Sequence, residues 1–150
     1  MRRIIIAGPS RGKSTLADKL RKESGGTLPV YCGDTASKVL YQKPYTIYLP
    51  EWLPFAGDGG AADWIADHWF TKPGPWICEG HALARALKRW MEAAPRGVMP
   101  CDKIIVLDHE AHRATTPAQE AMHKGVMTQW RKVAHYYAAI TEVRRQLPPR

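Results

Sequence analysis

At 150 residues with 45% hydrophobic content, the chain is one domain with a single core, and no internal repeat or low-complexity tract divides it. Its 22 Lys and Arg against 14 Asp and Glu leave a net charge of +8, which favours anionic partners. Three cysteines, odd in number and far apart at Cys32, Cys78 and Cys101, exclude a disulfide framework or a zinc cage, and no apolar run approaches the roughly 20 residues that cross a membrane. A cytoplasmic protein with reduced thiols and no membrane partner is expected.

The first predicted element is a strand, Ile4-Ile5-Ile6, whose unbroken apolar run suits burial on both faces. It breaks into a turn from Ala7 to Gly12, and a helical pattern starts near Lys13. A strand, a glycine-bearing turn ending in Gly-Lys-Ser and a helix make the setting of a phosphate-binding loop. Gly8 and Gly12 let the backbone turn so that successive N–H groups face phosphate oxygens, with the positive end of the helix behind them. The segment Gly8, Pro9, Ser10, Arg11, Gly12, Lys13, Ser14 and Thr15 is therefore the expected ATP site, with Lys13 reaching the β- and γ-phosphates and Ser14 ligating Mg²⁺. Counting back from Gly12 puts Ala7 where the usual motif has its first glycine, a swap that requires negative φ there.

The helix from Lys13 to Glu23 carries Leu16 and Leu20 on one face and stops at Gly25-Gly26. Leu28 to Cys32 reads as a second strand, assigned to a sheet edge because it contains Pro29, and it ends at Gly33-Asp34. Residues 35–41 fit a helical turn, and the proline- and aromatic-rich stretch from Tyr45 to Phe55 a loop or lid. A helix over residues 61–70 is closed by Lys72-Pro73-Gly74-Pro75. Trp76-Ile77-Cys78 is a short buried strand finishing at Glu79-Gly80, followed by a helix over residues 81–93 that turns Leu83, Ala86, Leu87 and Trp90 inward. Lys103 to Leu107 forms the last clear strand, with Asp108 at its end. Thr116, Pro117 and Gln119 spell an N-cap, first-turn proline and capping-box partner, opening a helical region that runs to about Gln146 with a break at Gly125.

Strands alternating with helices imply an α/β fold: a three-layer sandwich around a short parallel sheet of four to five strands, with ligands gathered at the carboxyl ends. Asp34, Glu79 and Asp108 all sit at that edge. Magnesium and hydroxyl chemistry needs such acids, one to hold the metal shell and one to accept the proton of an attacking hydroxyl.

In this order of parts the chain resembles the small P-loop kinases, the group of nucleotide kinases, shikimate-type kinases and the kinase domain of polynucleotide kinase. The resemblance implies one P-loop kinase domain over residues 1–150, ATP and Mg²⁺ as cofactors, and a lid around residues 109–126. In the polynucleotide kinase branch an Asp at the end of the second strand is the general base. By that resemblance the role passes to Asp34, 21 residues after Lys13, although a Gly-Asp helix cap is the alternative. Lys38 falls where a substrate-phosphate binder would lie. Glu79-Gly80 followed by Arg85 is similar to the Glu-Gly segment after the third strand of several of these kinases, which implies Glu79 near Mg²⁺ or the acceptor and Arg85 turned toward the acceptor. Within the lid, Arg113 is the first choice for stabilising the transferred phosphoryl group, ahead of Lys124 and Arg131, and His68, His81 and His135 receive no role. The chain departs from the larger nucleotide kinases in having fewer lid arginines and only helix after residue 126, where those enzymes carry a fifth strand.

The segments Pro75 to Gly80 and Thr116 to Thr128 are similar to small bacteriophage kinases that phosphorylate 5-hydroxymethyluracil in DNA, which implies DNA modification. Charge is compatible with that substrate: residues 1–26 carry seven Lys and Arg against two acids, and residues 111–150 likewise seven against two. Tyr45, Tyr48 or Trp52 would stack on a displaced base, or else simply pack. Three functions stay open at this point: a DNA or nucleotide hydroxyl kinase, a small-metabolite kinase, and a nucleotide-dependent binding module.

Overall fold

The computed structural model describes residues 1–34, 43–50, 52–53, 57–93 and 97–146, the last side chains of the central gap resuming at Gly60. The expected helical turn at residues 35–41 and the substrate assignment of Lys38 lie outside them. Six strands form one sheet: β1 (Arg2–Ile6), β2 (Val30–Cys32), β3 (Thr46–Tyr48), β4 (Trp76–Glu79), β5 (Lys103–Leu107) and β6 (Thr141–Arg144), in the order β3-β2-β4-β1-β5-β6. Every neighbouring pair is parallel. Helices α1 (Lys13–Glu23), α2 (Gly57–His68), α3 (Leu83–Ala93), α4 (Pro117–Arg131) and the short α5 (Ala134–Tyr137) cover it.

The triple isoleucine explains the centre of this arrangement. Ile4, Ile5 and Ile6 are all fully buried, because alternate residues of β1 feed two different cores. Ile4 and Ile6 join Tyr31, Cys78, Ile104 and Val106 on the face covered by Ile65 and Trp69, Leu83 and Leu87, and Val126 and Trp130. Ile5 joins Val30, Ile77 and Ile105 on the opposite face, where α1 contributes Ala17 and the flanking Leu16 and Leu20. Among the described residues, one helix on one face and four on the other give the expected three layers.

Two strands were not legible beforehand. β3 lies in the stretch read as a loop, and it moves β2 from the edge to the interior. Pro29 is compatible with that position because the strand begins one residue later and the proline contributes only its carbonyl, which accepts from the Ile77 N–H at 3.1 Å. β6 replaces the C-terminal end of the expected helix. α4 passes through Gly125 without a break and ends at Arg131, and a 3₁₀ turn over Ala138–Ile140 leads into Thr141–Arg144, which pairs with β5 from Ile104↔Thr141 to Leu107↔Arg144. The fifth strand of the larger kinases is therefore present, with β3 as a sixth.

At the start of α4 the capping box forms as read: the Gln119 N–H donates to Thr116 Oγ1 at 3.2 Å, and the Thr116 N–H donates to Gln119 Oε1 at 2.9 Å. Thr116→Ala should lower unfolding free energy by about 1 kcal/mol in urea titration, the ordinary worth of a lost N-cap. An unchanged midpoint would mean that α4 is held by its packing alone.

Candidate active site

Strand register brings the chemistry together. β4 lies between β1 and β2, with Glu79 opposite Ile5 on one side and Cys32 on the other, so the ends of β2 and β4 flank the loop that leaves β1. The chain after β4 turns at Gly80 with φ +146, and a Cβ there would come 3.0 Å from Gly33 Cα. Glycine is required at that crossing by both space and conformation.

Within the phosphate loop, Gly12 adopts φ +83 and Ser10 φ +61, whereas Ala7 is not among the positive-φ residues, so the Ala7 swap is accommodated. Ser10 is held in its uncommon conformation by the segment after β5: its carbonyl accepts from the His112 N–H at 3.1 Å and its Oγ from Arg113 Nε at 3.4 Å. Arg11, only 4% exposed, does not offer its guanidinium outward; it donates to the carbonyls of Pro9 and His109 and forms a 2.6 Å ion pair with Glu120 of α4.

Lys13 is buried to 8% exposure, and its ammonium sits 3.0 Å from Asp34 Oδ2 and 3.0 Å from His81 Nε2. The geometry fixes the imidazole tautomer: a charged Lys13 makes Nε2 the acceptor, leaving the proton on Nδ1, 3.4 Å from Asp34 Oδ1. The His81 backbone N–H also donates to Asp34 Oδ1 at 2.9 Å. Burial raises the Asp34 pKa, but Lys13, His81 and the backbone hydrogen bond outweigh it and hold the carboxyl below its ordinary value. Burial drives His81 the other way, down to about 4, with Lys13 assisting, so the ring is neutral at neutral pH.

Glu79 occupies the neighbouring strand end, 2% exposed, and accepts from the Ser14 hydroxyl at 3.2 and 3.3 Å to its two oxygens. Burial first and the nearby Asp34 second push its pKa up. A buried carboxylate beside the Ser14 hydroxyl is a donor set that suits a hard divalent cation such as Mg²⁺. Cys32 Sγ completes a buried cluster with Asp34 and Glu79, ligand atoms within 4.8 Å of one another. Asp108, the third edge acid, lies across β1 from this pair and faces α4, 3.4 Å from His123 Nε2 and 3.9 Å from Arg131 Nη2. Arg85 stands exposed on the first turn of α3.

Sequence reasoning missed three histidines. His81 follows Glu79-Gly80 directly at the binding edge, and that position was its signal. His123 lies on the same buried stripe of α4 as Val126, Met127 and Trp130, and its Nδ1 accepts the Gly8 N–H at 3.0 Å. His112 packs on Gly12, which nothing in the sequence indicated. Of the aromatics proposed to stack, Tyr45 is committed, donating to Asp18 Oδ1 at 2.5 Å beneath the Arg21 guanidinium, and Tyr48 OH accepts from the Lys43 N–H; Trp52 is 60% exposed.

No protein-family model and no curated protein sequence matches the chain. Among solved structures, shikimate kinase from Bacteroides thetaiotaomicron superposes with a TM-score of 0.51 at 12% identity, over 100% of this chain and 89% of that one. The fold is that of a small P-loop kinase. No helix among the described residues is long and apolar enough to cross a membrane.

Glu79→Gln gives a signed test of this electrostatic picture. A carboxyl whose pKa is raised by folding stabilises only below its unfolded pKa and opposes folding as pH rises through the folded value. The variant should therefore be more stable than the parent at pH 7, by about 1 kcal/mol in denaturant titration, and the advantage should vanish below about pH 4.

Proposed function

We propose that the chain is an ATP- and magnesium-dependent kinase that transfers the γ-phosphoryl group to an alcohol hydroxyl of a small molecule or nucleotide. The observation that carries this reading is the buried 3.0 Å pair between Lys13 of the phosphate loop and Asp34 at the end of β2. It sets a carboxylate base beside the cation that meets the terminal phosphates, so that once Lys13 turns to them the base is next to the transferred group. The fold shared with a shikimate kinase supports phosphoryl transfer to a small molecule.

In the reaction, Lys13 leaves Asp34 for the β- and γ-phosphates and frees the carboxylate. Asp34 takes the proton of the acceptor hydroxyl as that oxygen bonds to the γ-phosphorus; the bond from γ-phosphorus to the β,γ-bridging oxygen breaks, and ADP departs. His81 holds Asp34 in place through its backbone N–H and its ring. Ser14 and Glu79 would hold magnesium, which supplies positive charge to the phosphates. Gly12, Lys13, Ser14 and Thr15 receive phosphate oxygens at the head of α1, Arg113 neutralises the transferred group, and Glu79 and Arg85 serve the acceptor.

A second reading, a hydroxymethylated base in DNA as acceptor, draws on the basic chain ends and on Trp52. That residue follows the edge strand β3 by four residues and is exposed enough to stack on a ring. A panel of labelled-phosphate transfers separates the two: small polyols, nucleosides and nucleotides, 5′-hydroxyl oligonucleotides, and DNA with and without 5-hydroxymethyluracil. Label in a free small molecule or nucleotide supports the first reading, and label confined to modified DNA the second. Asp34→Asn should lower transfer at least about 100-fold while ATP still binds. Turnover that survives the substitution would instead indicate a nucleotide-dependent binding module.

A further inference from the structure

The lid meets the phosphate loop through an imidazole as well as an arginine. A Cβ built on Gly12 would lie 2.6 Å from His112 Cε1 and 3.1 Å from its Nε2, so the ring stands directly on the last glycine of the loop, next to Lys13. Three separate contacts fix the backbone that carries it. The His112 N–H donates to Ser10 O at 3.1 Å; Arg11 Nε donates to His109 O at 3.1 Å; and Arg11 Nη2 pairs with Glu120 at 2.6 Å. His112 is nevertheless an exposed residue. A ring that merely filled space would be buried among side chains, whereas this one rests on a residue that has none and stays open to whatever the loop binds.

Gly12 and Lys13 contribute the backbone donors at the head of α1, so a side-chain donor this close to Gly12 lies within hydrogen-bond reach of the oxygen those N–H groups receive. We propose that His112 is a phosphate-contacting residue of this site, donating a ring N–H to the β-phosphate oxygen held over Gly12. The inference rests on the ATP-binding reading of the loop, and adds that a histidine shares the contact otherwise left to Arg113. Arg113 spends its Nε on Ser10 Oγ at 3.4 Å, while the shorter imidazole needs no such reach.

Calorimetric titration of the whole chain with MgATP and with MgADP, alongside thermal melts, tests the proposal. His112→Ala should weaken both nucleotides about tenfold with the melting temperature unchanged, and His112→Gln, which keeps a side-chain N–H, should stay within about threefold of the parent. Unchanged or tighter binding by His112→Ala would overturn the proposal, the latter marking the ring as an obstruction. A loss as large in His112→Gln as in His112→Ala would also overturn it, since packing and not donation would then be at stake. The labelled-phosphate panel reads transfer separately. Intact, His112-dependent nucleotide binding with no phosphoryl transfer counts against the kinase reading alone, and transfer with His112-independent binding counts against this proposal alone.

Discussion

A lysine ammonium at 8% exposure must find negative charge close by, and satisfying Lys13 dictates much of the carboxyl edge of the sheet. Asp34 supplies the charge and neutral His81 the second acceptor, each at 3.0 Å. For Asp34 to arrive there, β2 must lie two places from β1 and end level with β4, as the pairing of Cys32 with Glu79 ensures. For His81 to arrive, the chain after β4 must turn sharply against Gly33, where only Gly80 fits. Glu79 lacks an equal share of positive charge, and burial leaves its carboxyl reluctant to ionise. Lys13 favours ionisation of both carboxylates, but at Glu79 burial and the Asp34 charge outweigh it, so the two acids end on opposite sides of their ordinary values, the usual physical route to dividing roles between a pair of acids.

The loop after β1 and the segment after β5 are built as one piece. Arg11 ties Pro9 and His109 together and ends on Glu120, itself held by Thr115 Oγ1 at 2.8 Å. His123 completes the tie at the other end by accepting the Gly8 N–H and approaching Asp108. A Cβ on Gly8 would come within 2.4 Å of His123 Cα, so this approach of α4 depends on glycine as much as any phosphate does.

Legibility followed the strength of the local signal. The triple isoleucine, the Gly-Lys-Ser turn and the Thr116 capping box are each decided within a few residues, and the structure has all three. β6 was missed because four half-buried residues at an edge carry too little apolar pattern to interrupt a run of good helix formers. β3, three residues long with Ile47 46% exposed, carries still less. Asp34 and Glu79 were legible as strand-end acids, whereas the histidines that surround the loop were not: which ring meets which backbone amide is decided by contacts between residues as far apart as Gly8 and His123.

The central place of β1 also has a consequence for the order in which the molecule is made. Its two neighbours, β4 and β5, begin at Trp76 and Lys103, so this central strand is synthesised before either partner and pairs late. Until then Ile4, Ile5 and Ile6 form an unpaired strand of strong β propensity, the kind of segment that recruits chaperones or its own kind. The basic residues Arg2 and Arg3 immediately before it act as gatekeepers during that interval, keeping nascent chains apart by charge well before either has a site to serve.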